Sequence, residues 1–360
     1  MIATLSRDLS VRMTSSTNTV HVQQRSHECI VSTFLAHFEQ QSGTSASWPR
    51  IYFDDDGVGD GVTREAFSLF WDAAVGQMFQ TQGGDVAIPT LSPTYNAQLW
   101  EVVGRILAYT VAVLGQFPVT CVCQVLCLAI FGIEPDDEVL VRDFLSTLGE
   151  REQTLLSPLF FDNHEQLQRF LDRSRNDILD LLREFNVPSL PPTHDLRTLV
   201  VNIARYNVLE APRTAITSIQ AGFRSIAGNT FSGVTDVMVS HWYAQQRRPI
   251  FEQITERLHM ASDGEEARRM FEILMGFLRQ NRENEGLLLS FLRYSTGSPN
   301  VRGERIRVEI SRTTSVITHQ VCFSTIELPI IEDDSESEQA FLTQLMAELT
   351  SNQTWTFNSA

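Results

Sequence analysis

The chain has 360 residues, 42% hydrophobic and 20% charged, a balance that fits a globular protein with room for two ordinary domains and argues against disorder. Its net charge of −16 argues against nucleic-acid binding, which needs a basic surface to replace phosphate counterions, and disfavours anionic membrane surfaces. All 28 basic residues are arginine, where ordinary usage would supply roughly 20 lysines; this reads either as a genome-wide residue bias or as a surface offering no side-chain amine to acylation.

In chain order, residues 1–44 are rich in Ser, Thr and Gln and predict a weakly structured leader with one short helix, Cys29–Phe38. Its first ten residues carry Arg7 and Asp8 and lack an apolar core, so no secretory signal is expected. From Trp48 the pattern changes to a short strand at Ile51-Tyr52-Phe53, a turn over Asp54–Gly61 and an amphipathic helix over Arg64–Phe79. Ile106 to Ile133 is a run of 28 residues without a charge, long enough to cross a bilayer. Gln116-Phe117-Pro118 reads as a break that makes it two buried helices of roughly ten to fifteen residues.

His164–Phe185 is a periodic helix stopped by Pro188, Pro191 and Pro192. Arg197–Phe223 reads as helical, and Pro249–Leu258 begins another helix. Ala261-Ser262-Asp263-Gly264 has the composition of a hinge. Helices follow at Glu266–Gln280 and Glu285–Tyr294, then a Thr296-Gly297-Ser298-Pro299 turn and an alternating strand, Ile306–Ile310. A loop carries Cys322, Leu328-Pro329 ends that segment, and a last helix spans Glu336–Leu349. The fold class predicted is α+β.

The five cysteines, Cys29, Cys121, Cys123, Cys127 and Cys322, are odd in number and irregular in spacing, as in a reducing compartment. Cys121, Cys123 and Cys127 fall inside the apolar run, where packed thiols fit better than zinc ligands. The acidic turn fails as a calcium loop: counted from Asp56, the third position is Val58 and the twelfth is Phe67, where a bidentate Glu is needed. Asp333, Asp334, Glu336 and Glu338 suit a solvated helix N-terminus. Neither a metal nor a cofactor is expected.

Three stretches, in the right order, resemble the HECT-type ubiquitin-ligase domain. Residues Phe53 to Phe67, with Asp54-Asp55-Asp56-Gly57 and Thr63-Arg64-Glu65, are similar to the family's opening strand, acidic Gly-rich turn and Arg-Glu followed by an aromatic. Leu288–Ser298 is similar to its leucine-phenylalanine helix ending in Thr-Gly-Ser/Thr. Val321-Cys322-Phe323-Ser324-Thr325-Ile326-Glu327-Leu328-Pro329 looks like the family's Thr-Cys-Phe, short spacer and Leu-Pro, and Phe357 matches a phenylalanine fourth from the end.

The resemblance covers about residues 45–360 and implies a bilobal architecture. A larger, mainly helical N-lobe (45–258) would receive a ubiquitin-charged conjugating enzyme, and a smaller α/β C-lobe (259–360) would carry the cysteine. A hinge near His259–Gly264 would join them. Cys322 would take ubiquitin as a thioester and pass it to an amine of a protein substrate, in the cytoplasm or nucleus, with no nucleic acid, membrane or cofactor involved.

A thiol with the ordinary pKa of about 8.5 supplies only a few per cent of attacking thiolate at neutral pH, but thioester exchange is nearly balanced and asks for no strong base. His319, three residues before the cysteine where the family usually has a histidine two before, either assists or is structural. Cys322 without the resemblance would read as a core thiol. Phe357 reads equally as an apolar anchor or as the aromatic that docks on the N-lobe. The family's Pro-Asn-Gly and Val-Thr…Asn patterns are missing between about Leu140 and Ala221, and Val321 replaces threonine. The alternatives are therefore a degenerate HECT-like scaffold that binds ubiquitin or partners, and a cysteine hydrolase, for which no His/Asn arrangement is present.

Overall fold

The structure is a computed structural model that describes residues 2–13, 17–22, 27–41, 47–53, 60–115, 117, 122–161, 164–246, 250–297, 305–320 and 324–350. It is mixed α+β, with helices predominating and small sheets between them. Buried apolar residues form two clusters, one running from Leu9 to Tyr243 and the other from Ile254 to Leu349.

The first cluster begins where a leader was expected, and that expectation is corrected. Helix α1 (Ile2–Met13) carries Leu5, Leu9 and Met13 at four-residue spacing, so all three fall on one face; Leu9 and Met13 are buried in the cluster and Leu5 packs against it. Strand β1 (Thr17–Val22) turns Val20 and Val22 inward and pairs in parallel with β2 (Trp48–Phe53), from Thr17↔Trp48 to Val22↔Phe53. The connection is helix α2 (His27–Glu39), whose Ile30, Phe34 and Phe38 are buried. Phe34 packs on Phe67 and Phe70 of helix α3 (Asp60–Met78), with ring centroids 5.1 and 5.2 Å apart. The described part of 1–44 thus supplies apolar residues to the core, although Ser6 on α1 is buried as well.

A short antiparallel pair follows, β3 (Phe79–Gln80) and β4 (Ile88–Pro89). The uncharged run is divided between two helices as predicted, but their lengths, 18 and 8 residues, differ from those expected: α4 (Ala97–Leu114) begins before the run and is ended by Gly115 in the left-handed region, and α5 is Gln124–Phe131. By length and composition α4 would suffice to cross a membrane, but most of it is buried among protein atoms. Helices α6 (Asp137–Thr147), α7 (Glu150–Phe161) and α8 (His164–Glu184) come next. Asn186, at φ 60°, closes α8, with the Val187 N–H donating to the Leu182 carbonyl.

The continuous helix expected over Arg197–Phe223 is instead broken. It becomes α9 (Leu196–Arg205), a wide π turn at Tyr206–Glu210, and α10 (Arg213–Ala227), with Pro212 at the junction. Helix α10 lies so close to α4 that a Cβ added at Gly104 would strike the Ile219 carbonyl, and one at Gly222 the Glu101 carbonyl. Helix α11 (Asp236–Gln246) completes this part and adds Val239 and Tyr243 to its core.

The second cluster is framed by a four-stranded sheet in the order β5 (Leu258–Met260), β6 (Ile306–Ser311), β8 (Thr325–Pro329), β7 (Thr318–Gln320). The first three are parallel, and β7 runs antiparallel to β8. Helices α12 (Ile250–Thr255), α13 (Glu265–Gln280), α14 (Glu285–Thr296) and α15 (Ser335–Thr350) supply buried Ile254, Leu274, Phe291 and Leu345.

The hinge expected at His259–Gly264 is not one. Leu258, His259 and Met260 pair with Ile306, Arg307 and Val308. Beyond them, the Ala261 N–H donates to the Val308 carbonyl at 2.9 Å, and the Ser262 hydroxyl accepts from the Ile310 N–H at 2.8 Å. A Ser-Asp-Gly stretch reads as a linker by composition; here its backbone extends a strand and then opens α13. Contacts between the clusters include the pairing of Arg293 of α14 with Asp72 of α3 and the donation by the buried Arg64 to the Thr296 carbonyl at 3.4 Å.

Candidate active site at the Cys322 segment

Cys322 itself, with Val321 and Phe323, lies outside the described residues, as do Phe357 and residues 54–59 of the acidic turn. Both flanks of the cysteine segment are described. Gln320 ends β7 and pairs with Thr325, the first residue of β8, so four residues connect two neighbouring strands. Neither strand was legible beforehand, because three and five residues are too few to show a period; only the Leu328-Pro329 stop was.

The exit from the segment is firmly held. Ser324 is buried with φ 49°, a left-handed conformation that residues bearing a Cβ seldom adopt. Its carbonyl accepts from the Arg307 N–H at 2.8 Å, and Thr325 beside it is buried. Leu328, buried, anchors β8 in the core, and Pro329 pairs with Ser311 at the end of β6. The Leu-Pro of the motif thus seats the strand that leads away from the cysteine.

His319 is half-buried on β7, its ring centroid 4.1 Å from that of Tyr294 on α14. Burial pushes its pKa down to about 4, so the imidazole is neutral at physiological pH and a weak base. Tyr294 is itself buried, donates to the Ile317 carbonyl at 3.4 Å, and has its phenol pushed up by burial and then by Glu348. Thr318 donates to Glu327 across the strand pair at 3.2 Å. Tyr294, Ser324 and Arg307 were not singled out from sequence, although Tyr294 lies within the Leu288–Ser298 resemblance and Ser324 within the Val321–Pro329 one.

The other thiols behave differently. Cys123 is fully buried and caps α5, its sulfur accepting from the Leu126 N–H at 3.3 Å. Burial, with the nearby Asp143 charge, raises its pKa above the ordinary thiol range. Cys127 is buried too, and Cys29 is half-buried near Thr33. Cys121 lies outside the described residues. Among the described residues no group of three or more His, Cys, Asp or Glu is placed to hold a metal ion. Asp334, from the acidic cluster, accepts from the N–H groups of Glu336 and Ser337 at 2.9 and 2.8 Å and so caps α15; these bonds hold its carboxyl below the usual range.

No protein-family profile matches the chain, and none of the curated proteins matches it at a significant level.

Proposed function

We propose that the chain is a divergent HECT-type ubiquitin transferase, with the region built on the first core as the N-lobe, the region built on the second core, from about Ile250, as the C-lobe, and Cys322 as the acyl acceptor. What carries the reading is the Cys-Phe…Leu-Pro spacing at Cys322–Pro329, taken with the pairing of Gln320 and Thr325 on either side of the cysteine segment. A short connection between neighbouring strands, with its exit fixed at Ser324, is suited to presenting a thiol to another protein.

In the reaction proposed, the Cys322 thiolate attacks the carbonyl of the thioester joining ubiquitin to a conjugating enzyme. A new C–S bond forms, the old one breaks, and the enzyme's thiolate leaves. An amine of a protein substrate then attacks the Cys322 thioester and the thiol is regenerated. His319, neutral and packed on Tyr294, fits a structural role better than proton transfer. Partners under this reading are ubiquitin, its charged conjugating enzyme and a protein substrate, in the cytoplasm or nucleus.

One observation favours a second reading, a HECT-like scaffold without catalysis. The stretch between Leu140 and Ala221, where the family's docking patterns are missing, folds into the main core through Leu140, Leu182, Val200 and Ile216. The test is a thioester assay with a panel of ubiquitin-charged conjugating enzymes. A reductant-labile adduct that Cys322→Ala abolishes supports transfer. Binding without an adduct supports the scaffold. Release of a ubiquitin-derived acyl probe as free acid supports a cysteine hydrolase.

A further inference from the structure

Strands β1 (Thr17–Val22) and β2 (Trp48–Phe53) form a parallel pair with no third strand among the described residues. Parallel strands are ordinarily covered by neighbours, so a pair this small leaves two edges to account for. One face of the pair is closed: Val20, Val22, Ile51 and Phe53 are buried in the first core. The other face carries Thr19, His21 and Arg50, which are exposed, and Trp48 and Tyr52, which are half-buried.

The two edges differ. The Ile51 N–H donates to the Thr63 hydroxyl at 3.3 Å, so it points away from β1 and toward α3. Backbone groups alternate along a strand, so Pro49 faces the same way, and a proline has no N–H to offer. The outer edge of β2 is thus blunted by a proline and a helix. In a parallel pair only one of two Cα partners bonds across the pair. With Ile51 turned away, Arg50 and Tyr52 make the bonds to β1, and their partners Thr19 and His21 turn their backbone groups outward. Among the described residues no strand meets that edge.

The face beside the open edge has a definite chemistry. The His21 ring is stacked on Tyr52, with centroids 5.3 Å and planes 20° apart. Thr19 is small and is the cross-strand neighbour of Arg50. Strands lie about 5 Å apart, so an arginine side chain laid across Thr19 reaches a strand added beyond β1. Neither strand contains Asp or Glu, in a chain whose net charge is −16. Arg50 has no carboxylate partner among the described residues.

We infer that the open edge of β1 docks an extended, acidic segment of a partner protein, which adds as a third strand. Its backbone bonds to Thr19 and His21, a carboxylate opposite Thr19 pairs with Arg50, and the side chain opposite His21 lies against the His21–Tyr52 stack. The inference uses no residue of the Cys322 segment and stands independently of the transferase reading.

The test pans random linear peptides displayed on phage against the full chain and two variants. Thr19→Pro closes the edge: an edge strand accepts proline where the nitrogen faces outward, but the N–H is lost and the ring obstructs a third strand. Arg50→Glu reverses the charge. Melting curves confirm that each variant is folded, and light scattering gives the oligomeric state. The parent is expected to enrich peptides that carry Asp or Glu among β-branched residues. A synthetic copy of the enriched peptide should slow amide exchange at Thr19 and His21, and should bind Thr19→Pro about tenfold more weakly or worse. Arg50→Glu should enrich basic peptides instead. If Thr19→Pro fails to fold, the exchange pattern and the charge reversal decide. No enrichment on the parent would overturn the inference, as would peptides that bind without protecting Thr19 and His21, or selection indifferent to the charge at residue 50. A parent dimer that Thr19→Pro makes monomeric would assign the edge to a second copy of this chain and overturn it too.

Discussion

In the first region, up to Tyr243, the β-structure among the described residues is two two-stranded pairs set among helices. In the second, from Ile254, a four-stranded sheet is the frame and the helices are laid on it. Cys123 and Cys127 of the first region are sealed in the core, and Cys123 is held protonated. In the second, the chain on either side of the cysteine leads into paired strands. A helical core absorbs a thiol as a small apolar group.

The largest effect that separates the regions is expected from Phe34→Ala. It removes a fully buried ring from the Phe34–Phe67–Phe70 cluster and should cost about 3–5 kcal/mol. Calorimetry should show the loss in the first region's transition while the near-strand signals of the second persist. A uniform shift of one transition would mean that the contacts Arg293–Asp72 and Arg64–Thr296 make the two cores a single cooperative unit.

The second region should respond to acid through His319. Its folded pKa, about 4, lies below the ordinary 6.5, so the unfolded chain binds the extra proton first. Stability should be intact above about pH 6.5 and fall as the pH drops toward 4, by at most about 3 kcal/mol. Denaturant melts across that range, repeated with His319→Gln, measure the share that belongs to this residue. An unchanged slope in the variant would put the sensitivity elsewhere.

Gly222→Ala should cost about 1–3 kcal/mol, because the new methyl group meets the Glu101 backbone and α4 and α10 must move apart. The effect should appear only in the first region's melting. Smallest of all, Ser324→Gly should raise the second region's stability by at most about 1 kcal/mol, by relieving the left-handed backbone. A loss of that size instead would show that the Ser324 side chain has work to do at the site.

The sequence disclosed the long elements and hid the short ones. Helix α8 was legible because its apolar positions repeat over 21 residues, and α13 to α15 for the same reason. Helix α1 was missed although Leu5, Leu9 and Met13 carry the same spacing, since Ser and Thr around them outweighed it in composition. Strands β5, β7 and β8 draw their identity from partners: Leu258 from Ile306, Gln320 from Thr325. At the site, the motif pointed to Cys322, but the ring contact of His319 with Tyr294 joins residues 25 positions apart and had no local signature.

The central claim is that Cys322 is a reactive thiol whereas the core thiols Cys123 and Cys127 are not, and it can be tested without any partner. The native chain is treated briefly with iodoacetamide near pH 7.5, then unfolded, labelled with a heavier reagent and mapped by peptide mass. The account predicts that Cys322 takes the first label while Cys123 and Cys127 take only the second. Equal protection of Cys322 and the two core thiols would contradict it.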